Sequence, residues 1–186
     1  MAKMKPGTKG FITKLYKGGA DIDEIHAKVK VNCPKITKVS INAVIRKHLI
    51  GLADELWSAA VKVRFNWRCA YSNKTDNLEA HHLIGRGNLS HRWTVENGIC
   101  LNAYYHALVS DIAAHGATDV TERFRDWMKR DRPEQWSWFE EHRNDKSVKP
   151  DSEELMAIIK KLEKCVKNGY NIDSEYIGKR REALED

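Results

Sequence analysis

Long apolar runs are missing from this 186-residue chain. No stretch approaches the roughly 20 apolar residues that a membrane-spanning helix needs, so no membrane partner is expected. The opening residues, Met1-Ala2-Lys3-Met4-Lys5-Pro6, have no apolar segment of the kind a secretory signal requires. Cysteine is scarce. Cys33, Cys69, Cys100 and Cys165 are widely spaced, and none belongs to a Cys-x-x-Cys pair. A disulfide framework is therefore not expected, and a reducing, cytoplasmic setting is. Internal repeats and low-complexity segments are lacking as well.

What is present is an ordinary globular composition, 41% hydrophobic and 31% charged. The length predicts one main core with room for a small accessory unit. The net charge of +6 is unevenly placed. Residues 1–50 hold 11 Lys/Arg against 3 Asp/Glu, whereas the remainder holds 21 against 23. A basic segment joined to a near-neutral body suits docking to a polyanion; a solubilising basic tail is the alternative.

Local patterns place helices over 10–17, from the Asp21/Glu24 capping box onward, and from Ser40 through Leu49. Three short basic helices suggest a small helix-turn-helix-like bundle, with a plain helical cap on the next domain as the competing reading. Residues 51–65 carry Leu52, Leu56, Ala59, Ala60 and Val63 at helical spacing. Residues 77–84 and 98–101 read as strands, and Asn102 caps a helix from Ala103 to about Ala114, with Gly116 at its end. Asp119 opens a further helix that Pro133 stops, Asp151 with Glu154 opens another, and a last polar helix is expected over 173–184. The expected fold class is α+β, mostly helical around a small ββα unit. The expected division is a basic helical unit over 1–50, a core over 51–145 and C-terminal helices over 146–186.

The chemistry concentrates between Cys69 and His106. His81 and His82 are adjacent, Asn97 follows fifteen positions later, and His106 nine beyond that. Phosphodiester hydrolysis needs a deprotonated water, a charge clamp and an orienting group. Imidazoles can bind a divalent ion or take a proton near neutral pH, and an asparagine can hold a loop or a ring.

The run Leu78-Glu79-Ala80-His81-His82-Leu83-Ile84-Gly85-Arg86, with Arg92-Trp93, Glu96-Asn97-Gly98-Ile99-Cys100-Leu101 and His106, resembles the HNH endonuclease family. It is most similar to the small HNH proteins of bacteriophages and other mobile elements. The resemblance covers residues 67–116 and, more loosely, the Phe124-Arg125-Asp126-Trp127 and Trp136 region. It implies a ββα-metal core that hydrolyses DNA. His81 and His106 would hold a divalent ion, Mg²⁺ or Mn²⁺ first and Ni²⁺ or Zn²⁺ as alternatives. His82 would be the general base and Asn97 would position the loop. Arg86 and Arg92 would contact DNA phosphates, and His115 is a further candidate. Many relatives carry a structural zinc on two Cys-x-x-Cys pairs. Here the four positions are Cys69, Ser72, Asn102 and Tyr105, so no structural zinc is expected. The on-the-order-of-10 kcal/mol that such an ion contributes must come from elsewhere, with Trp67, Tyr71, Tyr104 and Tyr105 as candidates for apolar burial.

Two competing readings stand beside the nuclease: a catalytically decayed, DNA-binding or regulatory protein on the same scaffold, and an accessory factor of phage DNA processing. If phage-encoded, the protein would work in the host cytoplasm.

Overall fold

The computed structural model describes residues 4, 6–107, 114 and 118–169. They form a mostly helical α+β protein with one small two-stranded antiparallel sheet. The chain divides into two compact units, one up to Leu52 and one from Ala53 onward.

In the first unit, α1 (Thr8–Lys17) ends at Gly18-Gly19. Gly19 takes φ 86°, a left-handed conformation that glycine adopts without steric cost. Asp21 caps α2 (Ile22–Lys30) by accepting from the amides of Asp23 and Glu24 at 2.8 and 2.9 Å. Ile12, Ile25, Val29, Ile36, Ile41, Ile45 and Leu49 are all buried.

The third helix departs from the sequence expectation twice. Its cap is Thr37, whose Oγ1 accepts from the Ser40 amide at 3.2 Å, so Ser40 lies in the first turn rather than before it. The helix then runs unbroken as α3 (Lys38–Arg64), joining what the sequence suggested were two helices. Gly51 lies inside it. A glycine there costs only about 1 kcal/mol relative to alanine, and buried residues recur every fourth position at Ile41, Ile45, Leu49, Ala53, Trp57 and Val61. That continuous stripe outweighs a single weak link. Residues up to Leu52 belong to the first unit and those from Ala53 to the second.

The second unit centres on β1 (Leu78–His82) and β2 (Gly98–Asn102), paired with Leu78 opposite Asn102 and His82 opposite Gly98. A 3-10 turn over Val95–Asn97 precedes β2. All five residues of β2 are buried, so both faces of this strand are covered. Gly98 explains how one face is covered. A Cβ there would run into the Val61 side chain and lie 2.9 Å from Cζ2 of Trp57, so the end of α3 can press onto the strand only because that side chain is absent. The other face carries Ile99 and Leu101, clustered with Cys69, Phe124, Trp127 and Met128.

Asn102 caps α4 (Ala103–Ala107) through its Oδ1, which accepts from the Tyr104 amide at 3.0 Å. The expected continuation of this helix to Ala114 and its end at Gly116 lie outside the described residues, apart from Ala114 itself. Helix α5 spans Thr118–Asp131, with Asp119 already inside it and paired to Arg123 at 3.1 Å. Pro133 does not merely stop that helix. It is the first residue of α6 (Pro133–His142), where its missing N–H costs nothing and its fixed φ is favourable. The Asp151/Glu154 capping box opens α7 (Ser152–Asn168) with both reciprocal bonds made. The polar helix expected over 173–184 lies outside the described residues. Among the described residues, no helix is long and apolar enough to cross a membrane.

Candidate functional site

Strand geometry sorts the candidate residues. Successive side chains of a strand point to opposite faces, so Glu79 and His81 share one face of β1 and His82 serves the other. On the first face, His81 is 8% exposed. Its Nδ1 lies 3.0 Å from Nε2 of His106, which α4 brings over the sheet. The opposite nitrogen of His106, Nδ1, pairs with the Glu79 carboxylate. Phe124 of α5 stands edge-on to the His81 ring. A carboxylate only accepts, so His106 Nδ1–H donates to Glu79; in a neutral ring Nε2 is then the lone pair, to which His81 Nδ1–H donates.

This pair fits a metal ion in two respects. Two nitrogens bound cis at about 2.1 Å to an octahedral ion lie about 3 Å apart, which is the separation observed. A histidine that binds metal usually donates its other N–H to a carboxylate, as His106 does to Glu79. Among the described residues, no set of three His, Cys, Asp or Glu side chains converges as a metal-holding group. His115 lies outside the described residues.

The opposite face holds His82. Its ring stacks on Trp57 of α3, with centroids 3.6 Å apart and planes 13° from parallel. Nε2 is 2.8 Å from the main-chain carbonyl of Arg92. A carbonyl only accepts, so Nε2 carries the proton and Nδ1 the lone pair. Burial under Trp57 disfavours the charged ring and lowers its pKa from 6.5 to about 4; the nearby Arg86 and Arg92 charges act in the same direction, while the Arg92 carbonyl and Asp54 oppose it. His82 is thus a neutral imidazole of one fixed tautomer at pH 7. The resemblance gives His81, His82 and His106 one common task; the contacts join His81 to His106 and hold His82 by other partners. His81 and His106 meet, and the regular strand turns His82 away from them.

Asn97 is fully buried and staples the loop that follows β1. Its Oδ1 accepts from the Ile84 amide at 2.6 Å, and its Nδ2 donates to the carbonyls of Ile84 and His91 at 2.9 and 3.0 Å. The two proposed phosphate contacts fare differently. Arg92 is turned inward: Nε and Nη2 donate to Asp54 at 2.9 and 2.7 Å, and its side chain is 18% exposed. That guanidinium is committed to the protein, which removes it as a phosphate contact. Arg86 reaches the same carboxylate with one bond of 3.1 Å and remains 62% exposed.

Sequence reasoning passed over Asp54, Trp57, Glu79 and Gln135. Gln135 of α6 donates to the carbonyls of Glu96 and Gly98 at 3.0 and 2.8 Å, tying the 3-10 turn in place. Glu79 was visible in principle, since a period of two puts it on the face of His81. Asp54 and Trp57 carry no such signal; they lie 28 and 25 positions before His82.

At the four positions where the resemblance would place zinc ligands, Cys69 is buried and accepts from the Ser72 amide at 3.4 Å. The Asn102 side chain donates to the Asp76 carbonyl at 2.8 Å. Tyr105 packs on Tyr71 with ring centroids 4.9 Å apart, and Tyr71 meets Trp127 edge-on. Cys100 is a core residue, its thiol pushed up to about 11 by burial.

Comparison with protein-family models, with curated proteins and with solved structures returned no match for this chain.

Proposed function

We propose that this protein is a metal-dependent DNA endonuclease of the HNH type. The observation that carries the reading is the meeting of His81 Nδ1 and His106 Nε2 at 3.0 Å, with the Glu79 carboxylate behind His106. Two imidazole nitrogens this close, with a carboxylate behind one of the rings, suit a divalent ion as two ligands and an outer partner. Such an ion supplies charge neutralisation at a phosphate and its leaving oxygen.

The chain's own residues supply the rest. His82, neutral and with its lone pair on Nδ1, accepts the proton of an attacking water. Its low pKa keeps it unprotonated but makes it a weaker base than a histidine poised near 7. Asn97 holds the loop from Ile84 to His91, and Arg86 is the exposed guanidinium for a phosphate oxygen. The basic surplus of residues 1–50 supplies salt-sensitive, largely non-specific affinity for DNA.

A second reading is favoured by a specific observation. His82 faces away from the His81–His106 pair, as it would in a DNA-binding or regulatory protein that keeps a nuclease scaffold without cutting, or in an accessory factor of phage DNA processing. One assay separates the readings: supercoiled, linear and branched DNA incubated with Mg²⁺, Mn²⁺, Ni²⁺ or Zn²⁺, with His82→Ala as control. Cleavage by the wild type that the variant lacks, with DNA binding retained, supports the nuclease. A gel shift without cleavage under any metal supports the second reading, and full cleavage by the variant removes His82 as the base.

A further inference from the structure

We propose that Asp54 is the positioning residue for His82, selecting its tautomer through the Arg92–Trp93 peptide. The carboxylate is engaged on both oxygens. Oδ1 accepts from Arg92 Nε at 2.9 Å and Trp93 Nε1 at 2.8 Å. Oδ2 accepts from Arg92 Nη2 at 2.7 Å and Arg86 Nη2 at 3.1 Å. Two of these bonds make the parallel fork that fixes a guanidinium in both distance and plane.

The consequence lies in the main chain. Arg92 and Trp93 are consecutive, and both side chains are pinned to the same oxygen. The peptide between them is held from both ends, and its carbonyl is the one that accepts from His82 Nε2 at 2.8 Å. A carbonyl held there admits only the Nε2–H tautomer, which leaves Nδ1 as the basic nitrogen. Trp57, one helical turn after Asp54, fixes the ring plane by stacking and anchors itself through Nε1 to the Thr94 carbonyl at 2.9 Å. One turn of α3 therefore sets both the plane and the protonation pattern of His82. Through Arg86 the same carboxylate tethers the loop arginine.

The tautomer claim stands on geometry alone; its effect on rate rests on the nuclease reading. The test uses the full chain labelled with ¹⁵N and long-range proton–nitrogen correlation of the imidazoles at pH 7. The wild type should show His82 as a single Nε2–H tautomer. Asp54→Asn, which keeps the side-chain volume but loses the charge and one acceptor, should shift His82 toward a mixture of the two tautomers. Arg92→Lys, which keeps the carbonyl and removes the fork, should do the same and stands in if Asp54→Asn fails to fold. Where the wild type cleaves DNA, both variants should lower kcat at least tenfold with KM for DNA little changed. A His82 spectrum in folded Asp54→Asn or Arg92→Lys identical to wild type overturns the proposal. A wild type that never cleaves while its variants change tautomer overturns the nuclease reading and leaves the role of Asp54 standing.

Discussion

His81 and His82 are consecutive in the chain and serve opposite faces of one hairpin. His81 meets His106 on the face covered by α4 and α5, whereas His82 stacks on Trp57 of α3. The two rings have separate neighbours, and they should respond differently to metal, acid and mutation.

The proposed metal pair should be separable from the proposed base by calorimetry. Zn²⁺ or Ni²⁺ titrated into the wild type should bind at one site, and His81→Ala or His106→Ala should each weaken it by at least a hundredfold. Glu79→Gln, which keeps a hydrogen-bond acceptor but loses charge, should cost about 10- to 100-fold, the usual effect of removing an outer-shell carboxylate. His82→Ala should leave the affinity unchanged. If the two His variants bind as well as wild type, the ion sits elsewhere.

Metal loading should also move a proton. With a neutral His106 donating to Glu79, the bond to His81 needs the His81 proton on Nδ1, the nitrogen that faces His106. Binding an ion there requires that nitrogen to be a lone pair, so His81 should switch to the Nε2–H tautomer while His106 keeps Nδ1–H on Glu79. The imidazole ¹⁵N shifts with and without Zn²⁺ report this directly. A change confined to His106 would contradict the assignment.

Acid should find His82 late. Its folded pKa is about 4 against an ordinary 6.5, so between those values the unfolded chain binds a proton that the folded chain refuses. Stability from this group is complete above pH 6.5 and declines as pH falls toward 4. An imidazole titration should show His82 neutral at pH 5.5. The urea midpoint should fall between pH 7 and 4.5 by more in the wild type than in His82→Gln. An ordinary titration midpoint for His82 would show that Trp57 does not cover the ring.

Gly98→Ala should loosen the contact between α3 and β2. The added methyl meets Val61 and Trp57, both buried, and overpacking of this kind costs about 1–3 kcal/mol. Urea denaturation followed by tryptophan fluorescence measures the loss. A variant as stable as wild type would mean that α3 can withdraw from the strand at no cost.

Asn97 should prove structural before it is anything else. Asn97→Ala leaves the Ile84 amide and carbonyl without their partners inside the protein, at a cost of about 3 kcal/mol. Asn97→Asp keeps the acceptor for the Ile84 amide, yet it sets a carboxylate against the carbonyls of Ile84 and His91. It should be no more stable than the alanine variant. Thermal unfolding compares the two, and amide exchange at Leu83 and Ile84 localises the damage. Wild-type stability in both would detach Asn97 from the loop.

The sequence by itself determined what is local. Asp21, Asn102 and the Asp151/Glu154 box cap their helices because a short polar side chain reaches amides two or three residues away, and that reach needs no tertiary partner. The hairpin was legible from short apolar runs separated by a glycine-rich loop. The pairing of His106 with His81 was implied by the resemblance, and the two rings do meet.

Tertiary packing decided the rest. Whether Gly51 would break α3 depended on a buried stripe that only the assembled cores reward. Which neighbours His82 would receive depended on which helix covered its face, and α3 reaches that face through the space at Gly98. Arg92 reads as a phosphate contact in a linear sequence and becomes an internal anchor once Asp54, 38 residues earlier, arrives beside it. A carboxylate so distant leaves no periodic trace in the sequence, because hydrogen bonds across that separation exist only after the chain has folded.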